Sequence, residues 1–219
     1  MSLREYRSKR NFRSSPEPLG KISRRTRSQQ AGLYVIQKHR ASHLHYDFRL
    51  EFNGVLLSWA IPKGPSLDPS VKRLAMQVED HPLEYARFEG VIPEGYGAGT
   101  VMVWDIGSWT PEVQDVAEAL QKGDMKLTLR GKKLHGSWAL VRTAAYGGRK
   151  GKSWLLIKHR DRYASTVDIT IDRPRSVLTR RLLAEIARDS GGDVIKAADG
   201  DPAVRKRSVA ASRPPARRR

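Results

Sequence analysis

The chain contains no cysteine. A disulfide framework and a thiolate metal site are both excluded, so any bound metal must rely on imidazole and carboxylate. Long apolar runs are also missing. With a mean hydropathy of -0.57, no stretch approaches the roughly 20 apolar residues of a membrane-spanning helix. The basic N-terminus is not followed by the apolar segment of a signal peptide, and a cytoplasmic protein with no membrane partner is expected. Acidic residues are scarce, 23 against 41 Lys and Arg, for a net charge of +18. This surplus sits at the ends: residues 1–30 hold nine basic residues against two acids, and residues 203–219 hold seven against none. Such a distribution argues for a polyanionic partner, most naturally nucleic acid, and for association with the nucleoid. The 39% hydrophobic content over 219 residues still provides for one good core.

Among what is present, the run from His39 to Arg49 stands out. Four of the six histidines fall between His39 and His81. Read as a single β-strand, this run puts Leu44, Tyr46, Phe48, Leu50 and Phe52 on one side and His43, His45, Asp47, Arg49 and Glu51 on the other. Two imidazoles near a carboxylate, with a guanidinium one step on, suit a divalent metal that holds a phosphate oxygen. From Arg73 to His81 the pattern repeats: Leu74, Met76 and Val78 have one parity, and Arg73, Gln77, Glu79 and His81 the other. If the two polar faces share a cleft, His39, His45, Asp47 and His81 converge.

Asn53-Gly54 is a two-residue hairpin signal between Phe48–Phe52 and Val55–Ile61. Further strands are expected over Leu33–Lys38, Arg73–Glu79, Thr100–Asp105, Met125–Arg130, Gly136–Arg142 and Ser153–His159, a spacing that suggests an antiparallel barrel or sandwich. Helical periodicity runs from Val113 to Lys122 and stops at Gly123. A second helix is expected from Ser176 to Arg188, with Ser176 as N-cap and Leu178, Leu182, Leu183, Ile186 and Ala187 as its apolar stripe. The expected organisation is a basic N-terminal segment (1–30) contributing in part to the active site, a β domain (31–175), a C-terminal helix (176–190) and a disordered basic tail (191–219).

The ordered motifs Val35-Ile36-Gln37-Lys38-His39, Leu44-His45-Tyr46-Asp47-Phe48-Arg49-Leu50-Glu51, Ser58-Trp59-Ala60-Ile61-Pro62-Lys63-Gly64-Pro65, Val78-Glu79-Asp80-His81-Pro82 and Tyr96-Gly97-Ala98-Gly99-Thr100-Val101 resemble the 3'-phosphoesterase domain of bacterial DNA ligase D. The resemblance extends over about residues 9 to 160. It implies a manganese-dependent enzyme that trims 3' ends in non-homologous end joining, while on ligand type alone Co2+ or another divalent transition metal also fits. The strand spacing, the two helices and the charged ends together give the expected fold: mainly β, an antiparallel β-barrel with a few flanking helices and disordered basic termini.

Carried over by position, the resemblance implies metal ligation by His39, His45 and Asp47 and phosphate contacts by Arg49, Arg73 and His81. Glu79, Tyr85 and Lys63 match further active-site positions, and Gln37, Arg10, Asn11 and Glu17 match substrate-binding ones. Arg10-Asn11-Phe12 and Pro16-Glu17-Pro18 resemble an N-terminal family signature in which Asn11 replaces an acid. Implied partners are DNA with 3'-phosphate or 3'-ribonucleotide ends and a separate ATP-dependent ligase, polymerase and Ku. With no nucleotidyltransferase lysine motif in view, a stand-alone version of the domain is expected. Two other readings use the same residues: a non-haem iron oxygenase built on His45, Asp47 and a distal His81, and a DNA-end-binding module without catalysis.

Overall fold

Asn53 and Gly54 both take positive φ, 50° and 80°, as the two-residue type I′ turn of a twisted hairpin requires. They join β2 (Leu44–Phe52) to β3 (Val55–Ile61). The computed structural model describes residues 2–21, 32–143 and 151–203. The other strands are β1 (Gly32–Arg40), β4 (Lys72–His81), β5 (Gly90–Ile92), β6 (Gly99–Pro111), β7 (Asp124–Gly131), β8 (His135–Arg142) and β9 (Ser153–Lys158). All pairings are antiparallel, in the order β1-β2-β3-β4-β9-β8-β7-β6, and pairing of β1 with β6 closes eight strands into a barrel. β5 pairs only with β6 and lies outside the closed ring.

The barrel fills with aromatic side chains that meet across intervening strands. Trp59 reaches Trp154 at 5.9 Å across β4, and Tyr46 reaches Trp104 at 5.4 Å across β1. Asp105 anchors one end of this core. Its carboxylate accepts from Tyr34 Oη at 2.5 Å and from the backbone N–H groups of Lys132, Lys133 and Leu134 at 2.9 Å each. Four donors compensate for the desolvation of a fully buried acid.

Short helices surround the barrel: α1 (Arg4–Ser8), α2 (Val116–Lys122), α3 (Ile169–Asp172), α4 (Leu183–Asp189) and α5 (Val194–Ala198). α2 starts where Asp115 accepts from Glu118 N and stops at Gly123, whose φ of 81° is left-handed, so its end is where the sequence puts it and its start three residues later. The expected helix from Ser176 is shorter than its apolar stripe suggests. Ser176 Oγ instead accepts from Leu178 N and Thr179 N, a local turn, and Arg180 takes a φ of 65°. Helix therefore begins only at Leu183. Beyond Gly192 the chain does not lose order, because α5 follows, and Asp201 turns back to accept from Leu183 N and Ala184 N. The basic stretch 204–219, expected to be disordered, lies outside the described residues. At the other end the N-terminal residues pack: Leu3 and Tyr6 are buried in the main core cluster. No helix among the described residues is long and apolar enough to cross a membrane.

Candidate metal and phosphate site

His39 and Asp47 do not share one strand. β1 ends at Arg40, the chain turns through Ala41, Ser42 and His43, and β2 begins at Leu44. The hairpin makes His39 the direct cross-strand partner of His45, and Gln37 that of Asp47. In antiparallel strands such partners project from the same face. His43 stands in the turn and is exposed. Its part in the site is its carbonyl.

Each imidazole is held in one tautomer by a carbonyl, which can only accept. His39 donates from Nε2 to Gly97 O at 2.9 Å, and His45 donates from Nδ1 to His43 O at 3.1 Å. The lone pairs are thereby left on His39 Nδ1 and His45 Nε2, which stand 3.6 and 3.7 Å from Asp47 Oδ2. All three donor atoms lie within 4.8 Å of one another. Ligands bound at about 2.0–2.2 Å to a single ion stand roughly 3 to 3.6 Å apart, so a small inward shift suffices for this two-nitrogen, one-oxygen set to hold a divalent metal. Fixing the far ring nitrogen by hydrogen bonding is how protein metal sites orient histidine ligands. Burial alone would raise the Asp47 carboxyl, but Arg49, His45 and His39 outweigh it and hold the group well below the usual carboxylate range. Burial pushes His45 down, so both ligand types favour their metal-binding protonation state.

Beside this group lies a cluster of cations around His81. Arg49, 2% exposed, donates from Nε to Gln37 Oε1 and from Nη1 to Ser58 Oγ, both at 2.8 Å, and its Nη2 is 3.2 Å from Asp47 Oδ2. Arg10 reaches over from the N-terminal arm. Its Nε meets Glu17 at 2.9 Å, its Nη1 meets Glu79 at 3.1 Å, its Nη2 meets His81 Nε2 at 3.0 Å, and its Cζ lies 3.9 Å from the Tyr6 ring centre. His81 Nδ1 is 2.9 Å from Glu79 O. Nδ1 also faces Arg49 Nη1 at 2.8 Å, so the ring stands between two guanidinium groups, with Arg10 at Nε2. Burial, Arg49 and Arg10 push the imidazole well below its ordinary pKa, so it is neutral. Metal donors, Arg10, Arg49, His81, Glu79 and Tyr85 all line one cavity of about 780 Å³.

The other expected residues take different places. Arg73 is not in the cavity. β4 carries a bulge, with Leu56 opposite His81 but Ser58 opposite Val78, and an inserted residue inverts side-chain parity. Met76 and Val78 consequently line the cavity with His81, while Arg73 shares the opposite face with Ala75 and with Gln77, which accepts from Trp154 Nε1 at 3.1 Å. Lys63 is exposed in the turn after β3, next to the cavity-lining Pro62. Gln37 is fully buried beneath the site, where its Nε2 donates to Tyr85 O and Phe88 O. Glu17 backs Arg10. Asn11 is exposed on an adjoining cavity, its Oδ1 accepting from Arg13 N.

His81 does not join His39, His45 and Asp47 in the donor group, so the triad with a distal His81 is not formed. Residues the sequence reading passed over include Tyr6, Lys9 and Ser58. Ser58 is the one polar residue of β3, which was a usable signal. Tyr6, donating to Pro18 O at 2.6 Å, was signalled only by its i,i+3 spacing from Leu3.

Comparison with known proteins relates the sequence to one family. The profile of the DNA Ligase D 3'-phosphoesterase domain matches residues 37–142. The multifunctional non-homologous end joining protein LigD of Pseudomonas aeruginosa is 54% identical over 187 residues, 83% of this chain and 22% of that protein. The protein of that name from Mycolicibacterium smegmatis is 42% identical over 165 residues, 73% of this chain and 21% of its own length. The multifunctional non-homologous end joining DNA repair protein LigD of Mycobacterium tuberculosis is 42% identical over 154 residues, 70% and 19% respectively. The chain thus spans about a fifth of the length of these relatives.

Proposed function

With residues 37–142 belonging to the DNA ligase D 3'-phosphoesterase domain family, we propose that the chain is a metal-dependent phosphoesterase of DNA 3' ends. It removes a 3'-phosphate and, from ribonucleotide-terminated ends, the terminal ribonucleoside, as a step in non-homologous end joining. DNA ends are its substrate, and a ligase, a polymerase and Ku are its companions in that pathway. The observation that carries the reading is one cavity holding two tautomer-fixed imidazoles and a carboxylate beside Arg10, Arg49 and His81.

Mn2+ is the ion assigned to His39, His45 and Asp47, with Co2+ or another divalent transition metal compatible with the same donor set. Bound there, it supplies Lewis acidity at a phosphate oxygen and lowers the pKa of a water molecule. The chain's own residues bind and orient the phosphate. Arg49 Nη2 stands 3.2 Å from Asp47 Oδ2, and Arg10 Nη2 stands 3.0 Å from His81 Nε2. Each guanidinium therefore retains an Nη2 hydrogen for a non-bridging oxygen, where hydrogen bonds strengthen as charge builds in the transition state. Glu79 and Glu17 hold Arg10, and Gln37 and Ser58 hold Arg49, so neither needs to reorganise when phosphate arrives. His81, entering neutral, keeps Arg10 aimed at the metal side.

The decisive experiment is product analysis on a duplex primer-template ended by a 3'-phosphate, with Mn2+ and with chelator. Inorganic phosphate released only with metal is expected. A bound but unprocessed end would overturn catalysis in favour of an end-binding module.

A further inference from the structure

Tyr96 is 50% exposed although its ring stands at the mouth of the cavity that holds the metal donors. The flanking Gly95 and Gly97 take positive φ, 79° and 82°, so the backbone turns sharply on both sides of the tyrosine and presents its ring outward. Gly97 O is tied to His39, which fixes this loop relative to the metal donors. The Lys9 ammonium stands 4.6 Å from the ring centre, and Lys9 is itself held by Glu5 and Glu79 at 2.8 and 3.0 Å.

The same ring lines a second cavity of about 400 Å³ whose wall carries Ser8, Asn11 and Ser15. Arg10, Gly95 and Tyr96 line both cavities and so form the partition between them. Small-molecule sites occupy roughly 300 to 1,000 Å³. A departing nucleoside needs a flat π surface for its base and hydroxyl and amide groups for its sugar, and Tyr96, Ser8, Asn11 and Ser15 supply them here.

We propose that the smaller cavity is a nucleoside subsite, in which the base of the leaving nucleoside stacks on Tyr96 while the Lys9 cation supports the ring. The inference rests on the phosphoesterase reading and names the chemical class on the leaving side of its cavity. Hydrolysis breaks the bond between phosphorus and the 5' oxygen of the nucleoside. Water gives its oxygen to phosphorus and a proton to the departing oxygen, and a 3'-phosphate remains.

The test uses the full chain and two duplex primer-templates of one sequence, one ended by a 3'-phosphate and one by a ribonucleoside whose base is 2-aminopurine. Binding is measured in chelator and turnover in Mn2+. Tyr96→Ala is expected to weaken binding of the nucleoside-ended duplex on the order of 10-fold more than that of the phosphate-ended one, and to remove the fluorescence quenching of the stacked base. Tyr96→Phe, which keeps the ring, retains both the ratio and the quenching. An abasic terminal ribose costs the wild type the same factor and costs Tyr96→Ala nothing further. Equal losses on both ends, or quenching that persists in Tyr96→Ala, overturns the subsite. No phosphate release by wild type with the Tyr96-dependent binding difference intact removes the phosphoesterase reading alone and supports the subsite.

Discussion

A histidine offers a lone pair to a metal only where the other ring nitrogen carries the hydrogen, and at His39 and His45 that hydrogen belongs to Gly97 O and His43 O. His45→Ala and Asp47→Ala are expected to abolish Mn2+ binding and hydrolysis while the far-ultraviolet circular dichroism stays native. Stoichiometric Mn2+ in a calorimetric titration of either variant would remove the ligand assignment. The two arginines that the sequence presents as equivalent clamps separate sharply. Arg49→Ala is expected to cost about 2 to 4 kcal/mol in kcat/KM, the scale of losing a preorganised oxyanion donor, whereas Arg73→Ala, on the far face of β4, leaves turnover within a few fold. Comparable losses in both would mean that the bulge does not separate the two side chains. His39, His45 and Asp47 were legible because donor chemistry resides in residue type. The supporting carbonyls were not, since any residue can supply one.

At the scale of elements, the N-terminal arm is attached to β4 by charge. Burial would raise the Glu79 carboxyl, but Lys9 and Arg10 outweigh it and hold it below the ordinary 4.5. An acid depressed on folding contributes stability that is fully present above its unfolded value and is lost as the pH falls through the folded one. Amide-exchange protection of residues 4–10 is therefore expected to hold from neutral pH to about 4.5 and to collapse below it. Glu79→Gln should show low protection at neutral pH with little further change on acidification, and an identical profile for the variant would refute the tether. Within the barrel, Asp105→Ala strands three backbone N–H groups and leaves Tyr34 Oη only the longer contact to Leu134 O at 3.3 Å. It should cost about 3 kcal/mol or more in urea denaturation, and a loss below about 1 kcal/mol would mean that water replaces the carboxylate. Strand periods and the Asn53-Gly54 turn gave most elements to a reader of the sequence. The apolar stripe from Leu178 to Ala187 misled, because a Ser176 turn and a left-handed Arg180 interrupt it.

For the whole molecule, charge is divided between an arm that packs and a stretch, residues 204–219, with seven positive charges and no acid. Removing that stretch is expected to weaken binding to duplex DNA and to flatten its salt dependence, each lost phosphate contact lowering the log-log slope by about 0.9. Single-turnover hydrolysis at saturating enzyme should persist. Binding measured against salt concentration checks this: an unchanged slope would remove the DNA-contact role, and a lost single-turnover rate would tie the stretch to the catalytic architecture.

What the sequence by itself determined is local. Alternation with period 2 marks strands, Asn-Gly marks a tight hairpin, and an absence of cysteine narrows the metal donors to imidazole and carboxylate, each readable within a few residues. Tertiary structure alone decided which residues meet. The inserted residue in β4 brought His81 to the cavity and turned Arg73 from it, and the closure of β1 on β6 formed the barrel. Packing of α1 carried Lys9 and Arg10 across some 70 residues of chain to Glu79. A bulge and a long-range ion pair arise from strands and side chains distant in sequence, and no local pattern encodes them.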